Sequence, residues 1–414
     1  MHSHWLLYSY DALGLGHARR MTGIARAVLP SRPDLSALLV TCSPQIDALP
    51  VPAGLDYVKL PSARKQSSSQ YVARTMRLEP NRLREMRSTI LEDIARAFQP
   101  DLFLCDKSPC GLMQELAPTL GTLRAVSPGA RMVLGWRDIL DAPERVRSEW
   151  QRNNTLGYID RWYDEVWVYG DPDLFDVREQ YALPRPIANR VRYLGYLTPH
   201  VTPQAAAEAR AQLEALAPGE PGSGPIALVT VGGGEDGETL LSRWVAASDL
   251  GLLPRGLRSV VVTGPLMPES AQQRIAAAAP DAVSVTRYIS GLEACEAAAD
   301  LVVGMAGYNT SCEVLGARTP AVLVPRATQR DEQRMRAMRL AQRGLVDTVD
   351  PADLTPLTLA RAARRALERG RRKADSGLAL DGHARVVREV ARLVPPRLTP
   401  AEEERNGGLR ESTA

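Results

Sequence analysis

The chain is short of several things, and each shortage excludes a class. Its 414 residues hold five cysteines, Cys42, Cys105, Cys110, Cys295 and Cys312, with no CxxC pair. That leaves no zinc framework or disulfide scaffold, and points to reduced, buried thiols in a cytoplasmic protein. Charge of one sign is also missing. The 51 Lys and Arg nearly balance the 48 Asp and Glu, for a formal charge of +3. No electrostatic footprint for nucleic acid results. No apolar run approaches the roughly 20 residues of a membrane span. The start, MHSHWLLYSYDALG, has no basic n-region and no small-residue cleavage site, so it reads as a first strand rather than a signal peptide.

What is present is globular: 44% hydrophobic and 24% charged residues. The length exceeds one ordinary core, so two domains are expected. Short apolar runs alternate with amphipathic stretches. Runs at 4–10, 35–40, 55–60, 101–105, 131–136, 165–170 and 191–195 read as strands, with helices at 18–29 and 82–98. The segment 198–225 is proline-flanked, helical in its middle and flexible at its end. The rhythm then restarts with strands at 226–231, 259–264, 283–289, 301–307 and 321–325. Continuous apolar strands between helices predict parallel sheets covered on both faces. The expected class is α/β, with two Rossmann-like doubly wound domains facing across a cleft. Ligands of such sheets bind beyond the carboxyl ends of the strands.

Three stretches carry chemistry. LGLGHARR (13–20) follows the first strand and opens a helix, so Gly14 and Gly16 allow backbone N–H groups to approach a ligand. It lacks the third glycine of a dinucleotide fingerprint. His17 then reads either as a helix-capping residue or as a general base at the cleft. VTVGGGEDGET (229–239) is a second glycine turn, in which Gly232, Gly233 and Gly234 permit close backbone approach. It is without the GK[ST] of a Walker loop. The densest stretch runs from 300 to 337. A strand ends near Gly307, a helix opens at Asn309 or Thr310 and carries Glu313, and Asp331-Glu332-Gln333 opens another helix. A helix start can hold a diphosphate. A carboxylate one turn on can accept hydrogen bonds from a ribose diol, and the Asp-Glu-Gln cluster suits sugar hydroxyls.

Residues 226–350 resemble the C-terminal domain of bacterial N-acetylglucosaminyltransferases that make the peptidoglycan lipid precursor, glycosyltransferase family 28, whose fold is GT-B. The resemblance rests on the turn 232–234, RYISGLEACEAAADLVV (287–303), AGYNTSCE (306–313), TPAVLVP (319–325) and DEQRMRA (331–337). The first half matches more thinly, through GLGHARR (14–20) and PDLFLCD (100–106). CDKSPCG, RDILDAPE and YGDPDLFD look closer to uncharacterised relatives of that family.

The resemblance implies an inverting, metal-independent transfer of a sugar, with no cofactor beyond the nucleotide-sugar donor. That donor would be a UDP-sugar, UDP-N-acetylglucosamine among the choices; the acceptor is open: small molecule, glycan or lipid-linked. Ile289 would offer backbone atoms to the nucleobase and Glu313 would hold the ribose. Gly307, Asn309 and Thr310 would lie by the diphosphate, with amides of the turn Gly232, Gly233 and Gly234. Gln333, with Asp331 or Glu332, would read the sugar, and Gly14, Gly16 and His17 would face it from the other domain. His17 is the first candidate base, Asp106 the second and Asp138 the third. Nucleotide-sugar epimerases or hydrolases, and non-catalytic nucleotide-sugar-binding subunits, are the rival readings. The expected domains are 1–197 for the acceptor and 198–380 for the donor. A helix at 381–395 packs back on the first domain, and 396–414 is a disordered tail.

Three features remain. DPD (171–173) reads as a turn, not a metal motif. The polar stretch 62–80 reads as a long loop. RAARRALERGRRK (361–373), with seven positive residues and one negative, reads as a solvated helix face, or as a contact to an anionic membrane surface that would make the cytoplasmic protein peripheral.

Overall fold

A computed structural model of the chain describes residues 2–11, 16–66, 71–327, 330–372 and 376–396. Gly14 and the expected tail beyond residue 396 lie outside the described residues.

The first half carries β1 (Ser3–Tyr8), β2 (Leu35–Thr41), β3 (Leu55–Lys59), β4 (Ala63–Lys65), β5 (Tyr71–Ala73), β6 (Leu102–Asp106), β7 (Arg131–Arg137), β8 (Glu165–Tyr169) and β9 (Val191–Tyr193). Of these, β4 and β5 form a separate two-stranded hairpin. The other seven make one parallel sheet in the order β3-β2-β1-β6-β7-β8-β9. The second sheet contains β10 (Ile226–Thr230), β11 (Arg258–Val262), β12 (Val283–Thr286), β13 (Leu301–Met305), β14 (Ala321–Val324) and β15 (Asp347–Thr348). It is also parallel, in the order β12-β11-β10-β13-β14-β15. Every residue of β6, β8, β10 and β11 is buried. Both faces of each sheet are therefore covered, which is why these strands read as unbroken apolar runs.

One apolar cluster joins the halves. It runs from Trp5, Leu7 and Met21 through Tyr196 and Leu197 to Leu228, Val302 and Leu315. The helix Gly382–Leu393 adds Val386 and Val390 to the same cluster and packs against the helix Gly16–Val28. The spacing of four puts both valines on one face. Arg392 clasps both oxygens of Glu165 at 2.6 and 2.7 Å, so the chain ends its described course on the first half.

Two expectations need correction. The stretch 62–80 is not one long loop, since the β4–β5 hairpin lies within it and residues 67–70 lie outside the described residues. The strand expected over 283–289 stops at Thr286, because a turn at Gly291, in left-handed backbone, leads into the helix Leu292–Ala298. The two-residue edge strand β15 has no counterpart in the sequence reading; it is too short to show a period.

Candidate active site

Both sheets reverse their winding direction once, between β1 and β6 and between β10 and β13. Such switch points leave a crevice at the carboxyl ends of the flanking strands. At the first, β1 leads towards the helix Gly16–Val28, and β6 ends at Asp106. At the second, β10 leads into Gly232, Gly233 and Gly234, and β13 leads into the helix Tyr308–Ala317.

The first crevice holds a buried Asp106–Arg20 ion pair with the partly exposed His17 against it. His17 Nδ1 contacts Asp106 Oδ2. Arg20, one turn along the same helix face, places Nη2 at 2.5 Å from Asp106 Oδ1 and 2.8 Å from His17 Nδ1. Burial alone would raise the Asp106 carboxyl, but Arg20 and His17 override it and hold it well below the usual carboxylate range. Burial, as the larger influence, pulls the His17 imidazole down to about 4 against the pull of Asp106. The ionised Asp106 can only accept, so His17 Nδ1 carries the proton and Nε2 keeps its lone pair. Arg20 then spends its donor on Asp106. Asp11 supports the helix start by accepting from Ala18 N at 3.1 Å.

Beside this cluster Lys107 sits in left-handed backbone, with Nζ 4.4 Å from the centre of the Tyr10 ring. Burial, with Arg330 and Arg137 adding repulsion, lowers its ammonium to about 7. Asp106 is therefore not engaged by its neighbour Lys107 but by residues of another element. Asp138, the third candidate base, is spent elsewhere. Its two oxygens accept from Arg336 Nη2 and Nε at 2.6 and 2.8 Å, and the pair is 1% and 0% exposed.

The second crevice is made mostly of backbone, and the three glycines of its turn differ in what they can offer. At Gly234, φ is +98°, and a Cβ would lie 2.4 Å from the Thr263 carbonyl, so only glycine fits. Its N–H is turned inwards to the Val231 carbonyl at 3.3 Å. The Gly233 carbonyl accepts from Leu266 N at 2.8 Å, and a Cβ at Gly233 would lie 3.3 Å from Leu266 Cδ1. Gly233 thus fastens the turn to the segment after β11, and Gly234 shapes it. Gly234 has a structural task, because its amide already has a partner. Gly232 and Gly307 have open space where a side chain would be.

Gly307 caps the helix Tyr308–Ala317, whose first amides include Asn309 and Thr310. Asn309 Nδ2 reaches across to the Gly16 carbonyl at 3.3 Å. Glu313 is buried, not solvated, and its Oε1 accepts from Arg19 Nη2 of the first half at 2.6 Å. Glu296 is fully buried beneath it. Neither Glu296 oxygen has a hydrogen-bond partner among the described residues, and burial with the Glu313 charge pushes its carboxyl well up. Ile289 lies three residues past β12 with its side chain in the core, leaving only backbone for recognition. Glu332 and Gln333 are both buried at the start of the helix Glu332–Gln342. Glu332 Oε2 has no hydrogen-bond partner among the described residues, and Gln333 Oε1 accepts from Arg326 N at 3.1 Å. Asp331 donates its backbone N–H to Asp141 of the first half at 2.8 Å.

The sequence reading thus named residues that the fold gathers at two facing crevices. It missed Arg19, Arg20, Glu296 and Arg336. For Arg20 a signal existed: it stands three residues after His17, so the two share a helix face. Nothing local marks Glu296 or Arg336. Their partners lie 17 and 198 residues away. Most arginines of the basic stretch also have intramolecular work. Arg365 and Arg369 pair with Asp347, and Arg371 and Arg372 donate to backbone carbonyls.

Comparison with known proteins follows the same division. Residues 228–389 match the model of the glycosyltransferase family 28 C-terminal domain. The chain is 32% identical over 192 residues to the UDP-N-acetylglucosamine--N-acetylmuramyl-(pentapeptide) pyrophosphoryl-undecaprenol N-acetylglucosamine transferase of Mycolicibacterium smegmatis, a stretch that is 44% of this chain and 48% of that one. The enzyme of that name from Corynebacterium efficiens is 32% identical over 140 residues, 34% of this chain and 36% of the relative. The chain spans about half the length, or less, of these curated relatives. Among solved structures, the spinosyn forosaminyltransferase SpnP covers 100% of both chains at TM-score 0.58 and 15% identity. MurG of Acinetobacter baumannii covers 99% of this chain and 100% of its own at TM-score 0.53 and 14% identity. The fold is GT-B, with the stretch that matches the family 28 model in its second half.

Proposed function

We propose that the chain transfers a sugar from a nucleoside diphosphate, UDP first among them, to an acceptor hydroxyl with inversion at the anomeric carbon. The observation that carries this reading is the His17–Asp106–Arg20 cluster facing the stretch that matches the family 28 model. Asp106, kept ionised, orients His17 and stabilises the imidazolium that forms when Nε2 takes the acceptor proton. The acceptor oxygen bonds to the anomeric carbon as the bond to the diphosphate breaks, and the diphosphate leaves with the electron pair. The amides at Asn309 and Thr310, with that of Gly233, meet the growing charge, and Gly307 and Gly232 leave the room for the diphosphate to approach. Glu313 accepts from the ribose hydroxyls, the backbone at Ile289 serves the base, and Glu332 and Gln333 read the sugar beside Asp331. The acceptor half is 1–197 and the donor half 198–380. No metal or cofactor takes part in these steps.

Turnover is followed as UDP released from a panel of UDP-sugars with candidate acceptors. His17→Ala is expected to lose about 10²–10⁴-fold in kcat while binding UDP as the unaltered chain does. Full turnover in His17→Ala sinks the assignment of the base.

A further inference from the structure

A cavity of about 380 Å³ opens beside the helix Glu332–Gln342, lined by Arg145, Arg326, Arg330 and Arg334 with Asp331 and Asp350 among others. Only Arg145 comes from the first half; the rest belong to the half assigned to the donor. The charges are not matched. Arg334 Nε is satisfied by Asp350 at 2.8 Å. Arg326 has a 3.5 Å ion pair with Asp236 and the Glu235 charge near it, and its Nε is buried with no hydrogen-bond partner among the described residues. The ion pair of Arg330 with Glu149 spans 3.9 Å. A guanidinium offers five donors, and a buried donor left unmade is costly. Two arginines with slack ion pairs facing one cavity call for an anion.

The position narrows which anion. Arg326 is tied through its own N–H to Gln333, and Asp331 lines the cavity one residue before Glu332. The cavity therefore adjoins the residues that, under the function proposed above, read the transferred sugar. The diphosphate has its own partners at the helix start after β13 and the glycine turn after β10.

We infer that the transferred sugar is acidic, of the hexuronate class, and that Arg326 and Arg330 bind its carboxylate. The inference rests on the nucleotide-sugar reading. A planar guanidinium meets a carboxylate through paired hydrogen bonds, geometry that a neutral hydroxymethyl group cannot return. The same chemistry would serve a phosphate, so the test separates the two sources.

The full chain is titrated with UDP, UDP-glucose and UDP-glucuronate by calorimetry. The two sugars differ only in a hydroxymethyl group against a carboxylate. UDP-glucuronate is expected to bind about tenfold or more tightly than UDP-glucose, the scale of one charge-assisted pair. Arg326→Gln, and separately Arg330→Gln, should erase that preference and leave UDP affinity within about twofold. Equal affinity for the two sugars in the unaltered chain overturns the inference. So does an equal loss for UDP and both sugars in Arg326→Gln, which would give the guanidinium to the diphosphate. Failure of UDP itself to bind removes the donor reading, and this inference with it.

Discussion

The two crevices occupy equivalent places in similar sheets, yet they are built from different materials. At the first, side-chain charge is concentrated and buried: His17, Asp106 and Arg20 touch one another, and Asp11 and Lys107 stand close by. At the second, the helix start after Gly307 offers backbone amides, and Gly232 and Gly307 leave empty space where side chains would stand. Under the function proposed above, one crevice moves a proton and the other holds the diphosphate. The bolts between the halves differ in the same way. Arg336–Asp138 is buried, bidentate and further tied to the Ala306 carbonyl at 3.0 Å. Arg19–Glu313 is one contact, with the arginine 31% exposed. The first is a fixed joint. Under the proposed function, the second occupies the carboxylate that holds the ribose, so it exchanges when donor arrives.

The largest effect expected is at the fixed joint. Arg336→Met removes one partner of a buried pair and leaves Asp138 uncompensated, a loss of about 3–5 kcal/mol. Denaturant unfolding measures it, and a loss below about 1 kcal/mol would mean that water reaches Asp138. Next is the pH profile of turnover. With the His17 imidazole held near 4, below its ordinary 6.5, the base stays neutral and active well into the acid range. The acid limb of kcat/KM should therefore fall near pH 4, not 6.5. Stability has the matching sign: between 6.5 and 4 the unfolded chain takes up a proton that the folded one refuses, so this group's contribution falls as pH falls. An acid limb at 6.5 would show His17 to be solvated. The smallest effect belongs to the exchangeable contact. Arg19→Ala frees Glu313, with a stability cost below that at the fixed joint because the arginine is only partly buried, and UDP should bind unchanged to about threefold tighter. Weaker UDP binding would instead make Arg19 a donor ligand.

Much of the fold was legible because strands covered on both faces carry unbroken apolar runs. DLFLC marked β6 and, with Asp106 at its end, one member of the charged cluster. The elements that escaped notice are those too short for a period, such as β15 and the β4–β5 hairpin. In the site, glycine turns and helix starts were visible because their chemistry is local. The separate tasks of Gly233 and Gly234 were not, since they depend on Leu266 and Thr263, some 30 positions on. The charged partners stayed hidden for the same reason: Arg20 meets Asp106 across 86 positions and Arg336 meets Asp138 across 198. Only the winding of the sheets brings such pairs together.

The most direct test of the division between the crevices is thermal unfolding with and without saturating UDP, in the unaltered chain, Glu313→Ala and His17→Ala. A ligand at about 100 times its Kd adds about 2.7 kcal/mol to the stability of the folded state. UDP should raise the Tm of the unaltered chain and of His17→Ala alike, and the rise should be largely lost in Glu313→Ala. An undiminished rise in Glu313→Ala, or none in the unaltered chain, would contradict the placing of the donor in the second crevice.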